Sequence, residues 1–230
     1  MIKTTIIKNI SIVNDGKILV GDVVIENDII KKIGNVLISD SYKVIDGTGK
    51  FLIPGIIDGQ VHFREPGLTH KADLYSESRA AVAGGVTSFI DMPNTIPNVL
   101  NLAALEEKNK LASVKSLANY GFFLGVNGDN LEEVLKLDTT SLLAVSDDGL
   151  YFTKKGNLLA DNPDTLERLL SNCKSIVAIH SEKEQIVEAN EELFREKYGD
   201  NIPVECHPLI RSEEACYEST KNAIAIATKH

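Results

Sequence analysis

From Pro54-Gly55 onward, short apolar runs alternate with longer helical stretches, and this alternation constrains the fold more than any other feature. Ile56 to Val61, Val86 to Ile90, Tyr120 to Val126, Ser141 to Ser146 and Ser175 to Ile179 read as strands. Lys71 to Ala83, Leu102 to Leu117, Leu131 to Leu137, Pro163 to Leu170 and Glu184 to Tyr198 read as helices, and Ser212 to Lys229 adds a last one. Gly84-Gly85 stops the first helix, and Asn162 is a cap for the fourth. Glu213 and Glu214 sit in the first turn of the last helix, where the helix dipole favours acids. Strict alternation predicts a parallel sheet with helices outside. Five such units suit an open doubly wound sheet, or the first part of a (β/α)8 TIM barrel, whose eight units take about 250 residues.

Residues 1–54 follow another rule and read as a small N-terminal β-sandwich or open-sheet segment, ahead of a βα region over 55–230. Thr5 to Val13 is strand-like and ends at the turn residues Asn14-Asp15-Gly16. Asp22 to Ile25 and Ile29 to Ile33 flank Glu26-Asn27-Asp28, a hairpin signal. Lys43 to Ile45 and Phe51 to Ile53 follow, parted by Asp46-Gly-Thr-Gly49.

Composition matters for the partners it excludes. A formal net charge of −9 without a basic cluster argues against nucleic acid and anionic membrane. No apolar run approaches the roughly 18 residues of a membrane span. The first ten residues lack the basic head, apolar block and cleavage site of a signal peptide. Cys173, Cys206 and Cys216 are odd in number and form no CxxC, which suits a reducing cytoplasm.

In sheets of this kind the chemistry gathers at the C-terminal ends of the strands. Strand one runs into Asp58-Gly-Gln60-Val-His62-Phe-Arg64, where Gln60, His62 and Arg64 share one face of an extended segment. Strand two ends in Asp91-Met-Pro-Asn94, strand four in Asp147-Asp148-Gly149, and strand five in His180-Ser-Glu182. A lone strand-end histidine is most often structural, and Asp147-Asp148-Gly149 alone reads as a turn or a cap. Together, however, two histidines and a carboxylate at one end of a sheet make a zinc site. Cys206-His207 is a possible thiol–imidazole pair, but Pro208 follows and no orienting third group is evident.

The stretch Pro54-Gly-Ile-Ile-Asp58-Gly-Gln-Val-His62-Phe-Arg64-Glu-Pro-Gly67 resembles the signature of the amidohydrolase superfamily, and within it the dihydroorotases. Ala83 to Thr87, Asp91 to Thr95, Ile179 to Glu182 and His207 to Ala215 resemble later family blocks. The resemblance implies an amidohydrolase-type (β/α)8 barrel, of which about five units are present. It also implies interconversion of N-carbamoyl-L-aspartate and dihydroorotate in pyrimidine synthesis, with one or two Zn2+ ions at the barrel mouth. Carried over by position, His62 and His180 are metal ligands, and Asp148 bridges, with Asp147 second and Lys154 or Lys155 weaker. Arg64 and Asn94 hold the substrate carboxylate.

The chain departs from the family pattern in two ways. The family's His-x-His pair reads Gln60-Val-His62, which makes Gln60 a weak ligand because zinc prefers imidazole or thiolate to a neutral amide. The family's further histidine ligand, its general acid/base aspartate and the rest of its sandwich fall beyond His230. The span is therefore expected to be incomplete for catalysis, with no catalytic acid/base of its own. The rival readings are another cyclic amidohydrolase (hydantoinase, dihydropyrimidinase or allantoinase) and a non-catalytic homologue that serves as a structural partner of aspartate transcarbamoylase. A homodimer is a further possible assembly.

Overall fold

The computed structural model describes residues 3–36, 39, 41–138, 140, 142–148, 150, 159 and 162–230. The chain divides into two compact units, Met1–Ile56 and Ile57–His230.

The first unit is one mixed sheet. Strands β1 (Thr4–Asn14), β2 (Lys17–Glu26) and β3 (Ile29–Ile33) pair antiparallel, while β4 (Lys43–Asp46) and β5 (Phe51–Leu52) both run parallel to β1. The order is β3-β2-β1-β4, with β5 also on β1. The expected sandwich is thus a single layer among the described residues. Ile10, Ile12 and Val23 form its core, whereas Ile18, Leu19, Val20, Ile29, Ile30 and Ile33 are exposed, because no second layer covers them. A bulge interrupts β1 between Ile7 and Ile10, where Asn9 takes a left-handed φ of 54°. Asp22 fills the gap by accepting from Asn9 N at 3.1 Å, Val36 N at 3.3 Å and Lys8 Nζ at 2.6 Å.

The second unit carries a five-stranded sheet in the order β10-β9-β8-β7-β6. Its strands are β6 (Ile56–Val61), β7 (Val86–Asp91), β8 (Asn119–Gly125), β9 (Ala144–Ser146) and β10 (Ile176–Ala178). The registers of β7 with β8, β8 with β9 and β9 with β10 are parallel. Spatial order follows chain order with no reversal, so the doubly wound alternative is excluded and the sheet is a parallel half-barrel. Its core gathers Phe89, Phe122, Leu124, Val145, Leu166 and Leu169 with their neighbours. Ile57 on β6 is 69% exposed, as expected at the end of a sheet that stops short of closure.

Seven helices are described: α1 (Leu74–Ala83), α2 (Leu102–Lys115), α3 (Leu131–Val134), α4 (Pro163–Asn172), α5 (Glu184–Tyr198), α6 (His207–Ile210) and α7 (Glu213–Ala227). Helix α1 starts later than its apolar pattern suggests, because the Asp73 side chain accepts from Tyr75 N and Ser76 N and caps it. Helix α2 stops at Lys115, since Ser116 turns extended. The cap at Asn162 holds α4 as the sequence predicts, and Ser212, expected as the first residue of the last helix, caps α7 instead. A 3-10 turn at Val204–Cys206 and α6 are too short to show a period in the sequence. Among the described residues, no helix is long and apolar enough to cross a membrane.

Candidate metal centre

Strand ends β6, β9 and β10 bring Gln60, His62, Asp148 and His180 together. Asp148 is the hub. Its Oδ2 lies 3.3 Å from His62 Nε2, and its Oδ1 lies 3.4 Å from His180 Nδ1. Gln60 Nε2 donates to Oδ2 at 3.2 Å. Burial pushes the Asp148 carboxyl up, but the hydrogen bonds from His180, His62 and Gln60 outweigh it and hold the group well below the usual carboxylate range. Both imidazoles are shifted up in turn, chiefly by Asp148, with burial opposing.

The far nitrogen of each ring is also engaged. His62 Nδ1 meets Asn94 Oδ1 at 2.9 Å, and His180 Nε2 meets Glu182 Oε2 at 2.7 Å. Both partners are acceptors, so each far nitrogen carries the proton. The second nitrogen of each ring, Nε2 of His62 and Nδ1 of His180, faces Asp148 and hydrogen-bonds to it, and would offer a metal its lone pair only once the proton on that nitrogen is lost. Arg211 ion-pairs with Glu182 and anchors that second arm.

Asp147 has a different task. It is fully buried and accepts from His180 N at 2.7 Å and Leu159 N at 2.6 Å. Burial pushes its carboxyl up to about 6 against these bonds. It ties the end of β9 to the end of β10 and does not meet the imidazole nitrogens. Lys154 and Lys155 lie outside the described residues.

A metal fits this arrangement pairwise. Two imidazoles whose far N–H groups are held by oxygens are the usual state of metal-ligating histidines. Neighbouring ligand atoms on tetrahedral zinc, with bonds of about 2.0–2.1 Å, stand about 3.3 Å apart, close to the two Asp148 spacings. Among the described residues, however, no group of three or more His, Cys, Asp or Glu is placed to hold one ion in common. Gln60 presents its amide nitrogen to the carboxylate, so it acts here as a donor that steadies Asp148.

Beside the centre, Arg64 is half-buried at a left-handed φ of 64°. It stands near enough to His62 to oppose the upward shift of that ring. The loops after β6 and β7 are closed on each other. Ile96 N donates to Pro66 O at 3.2 Å, and a Cβ on Gly67 would stand 2.1 Å from Ile96 O, so only glycine fits there. Asn94, expected as a substrate contact, spends its oxygen on His62 and keeps its amide N–H2.

Sequence reasoning passed over two ion pairs beneath these loops. Lys108 on α2 reaches Asp91 Oδ2 at 2.8 Å and donates to Met92 O at 3.0 Å, and both charged side chains are at least 98% buried. Burial lowers the Lys108 ammonium pKa and Asp91 opposes the shift. Lys115 at the end of the same helix pairs with the buried Glu65. Nothing in the sequence marks either lysine as paired, since their burial is decided by packing across segments.

The sequential parallel half-barrel places the chain among proteins with the fold of solved cyclic amidohydrolases. L-hydantoinase (dihydropyrimidinase) from Arthrobacter aurescens matches all of this chain and 51% of its own, with a TM-score of 0.85 at 22% identity. A D-hydantoinase matches 98% of this chain and 50% of its own, with a TM-score of 0.78 at 26% identity. Within that class, residues 49–207 match the dihydro-orotase-like family, and the chain belongs to it. A dihydroorotase of Methanosarcina acetivorans is 34% identical over 227 residues, covering 97% of this chain and 47% of the relative. One from Carboxydothermus hydrogenoformans is 41% identical over 144 residues, covering 61% of this chain and 34% of the relative. The chain thus spans about half the length of the curated relatives it matches over its whole extent.

Proposed function

We propose that this chain supplies the strand-one to strand-five side of a dihydroorotase site, where N-carbamoyl-L-aspartate and dihydroorotate interconvert. The observation that carries the reading is the Asp148 carboxylate set between His62 Nε2 and His180 Nδ1, with Arg64 beside it. In this reading His62, His180 and Asp148 would be drawn upon to hold zinc, and Gln60 steadies Asp148. When bound, zinc lowers the pKa of a water and polarises the ring carbonyl.

The chain's own residues bind and orient. Asn94 and Glu182 hold the far nitrogen of each imidazole, so the nitrogen turned toward Asp148 is the one that would meet a metal. The Arg64 guanidinium takes the substrate carboxylate in a two-pronged grip, with the Asn94 amide N–H2 as second donor. Ring opening adds water across a cyclic amide C–N bond, and closure expels it. No described residue is assigned the accompanying proton transfer. The three free thiols fit a reducing, cytoplasmic setting.

Hydantoinase-type chemistry is the second reading, favoured by the likeness of fold to the two hydantoinases. Hydantoin carries no carboxylate and leaves Arg64 without a task. The test is calorimetric binding of N-carbamoyl-L-aspartate against hydantoin and allantoin to the zinc-loaded chain. The expected result is preference for the carboxylate ligand, lost in Arg64→Ala with zinc retained. Equal binding of the neutral rings would favour the second reading.

A further inference from the structure

Two of the three lysines on helix α2, Lys108 and Lys115, stand seven positions apart. Two helical turns separate them, so they share a face with a rise of about 10.5 Å between them. Each meets a buried carboxylate from another segment, Lys108 with Asp91 and Lys115 with Glu65. Each carboxylate then grips a backbone N–H. Asp91 Oδ1 accepts from Phe63 N at 3.0 Å, and Glu65 Oε2 accepts from Leu74 N at 3.0 Å.

These two grips lie on either side of Arg64. Phe63 is held from below by Asp91, and Glu65 is itself the second pin. Between them, Arg64 keeps a left-handed backbone that a side-chain-bearing residue holds only where its surroundings dictate it. Its carbonyl accepts from Leu68 N at 3.0 Å and closes the turn.

We infer that Lys108 and Lys115 are positioning residues, and that α2, through Asp91 and Glu65, sets where the Arg64 guanidinium stands relative to His62. The inference rests on the reading of Arg64 as the carboxylate anchor. Charge is needed at both pins, since an unpaired buried carboxylate would take its own proton or swing toward water. The Lys115 pin is the adjustable one, because its side chain is partly open to solvent while Lys108 is enclosed.

The experiment compares the full chain with Lys115→Met, Lys115→Arg and Glu65→Gln. Backbone hydrogen exchange is followed by mass spectrometry, with zinc and N-carbamoyl-L-aspartate binding measured alongside. In Lys115→Met, exchange over residues 63–74 should rise about tenfold while that of β8 stays unchanged, as local opening requires. The Kd for carbamoyl-aspartate should rise about tenfold while zinc affinity holds within about twofold. Lys115→Arg should restore both, and Glu65→Gln should behave as Lys115→Met. Unchanged exchange over 63–74 overturns the inference. So does an equal loss of zinc and carbamoyl-aspartate, which would mark the pair as general scaffolding. If the unaltered chain binds no carbamoyl-aspartate, the dihydroorotase reading fails, and the exchange comparison still decides whether α2 holds the loop.

Discussion

His62 Nδ1 and Asn94 Oδ1 are joined at 2.9 Å, and that bond decides which imidazole nitrogen faces Asp148. An amide oxygen only accepts, so Nδ1 holds a proton and Nε2 is the nitrogen left to meet a metal at the centre. Asn94→Ala removes the lock. The expected outcome is a 10- to 100-fold loss (about 1.4–2.7 kcal/mol) of zinc affinity, the usual effect of losing such a partner. Competition with a chromophoric chelator measures it, and an unchanged affinity would show that the ring needs no lock.

Gln60 donates to Asp148 Oδ2 at 3.2 Å from the place where the family carries its first histidine. Gln60→His exchanges a donor for an imidazole lone pair. Zinc per chain, measured by elemental mass spectrometry after metal-free purification, should increase. An unchanged stoichiometry would mean that the position lies outside the centre.

Lys108 is the most deeply buried cation described and offsets the charge of Asp91. Lys108→Met leaves Asp91 enclosed without its counter-charge. Removing one partner of a buried pair costs about 3–5 kcal/mol. Urea unfolding monitored on the βα unit should show a loss of that size, and the double change Lys108→Met/Asp91→Asn should recover part of it.

Asp22 contributes to the acid dependence of the N-terminal sheet, alongside Asp46, whose carboxyl the Thr48 hydrogen bonds also hold down. The Asp22 pKa is lowered by the hydrogen bond from Lys8 and the backbone N–H groups of Asn9 and Val36, with burial opposing. A carboxyl group lowered on folding adds stability above its unfolded pKa, and that contribution fades as pH falls through the folded value. Thermal melts should therefore show the sheet losing stability below about pH 4. Asp22→Asn should remove that part of the acid dependence, and an identical acid profile in the variant would refute the assignment.

Much of the fold was legible because its causes are local. The apolar periods marked all five parallel strands, and Asn162 marked the start of α4 by a cap that needs only neighbouring residues, whereas the Asp73 cap shifted the start of α1 past its apolar pattern. The left-handed turn at Gly85 and the glycine demanded at Gly67 are also written in residue type. What stayed illegible depends on partners distant in sequence. Asp147 and Asp148 are adjacent and chemically identical. Yet one latches the backbone of His180, and the other meets two imidazoles, because consecutive side chains at a strand end diverge. Gln60 reads as a weak ligand until Asp148 stands next to it, 88 positions away.

The order of the elements, the candidate histidines and the family are legible along the chain, since period and motif are properties of short stretches. The unbroken sequential order of the sheet, and the grip of Asn94 and Glu182 on the two imidazoles, come from packing in three dimensions. It also decided that two lysines on α2 brace the loop of Arg64. The physical reason is the same in each case. A buried charge must find its counter-charge and a buried N–H its acceptor, and which groups those are is settled by packing across segments rather than by spacing along the chain.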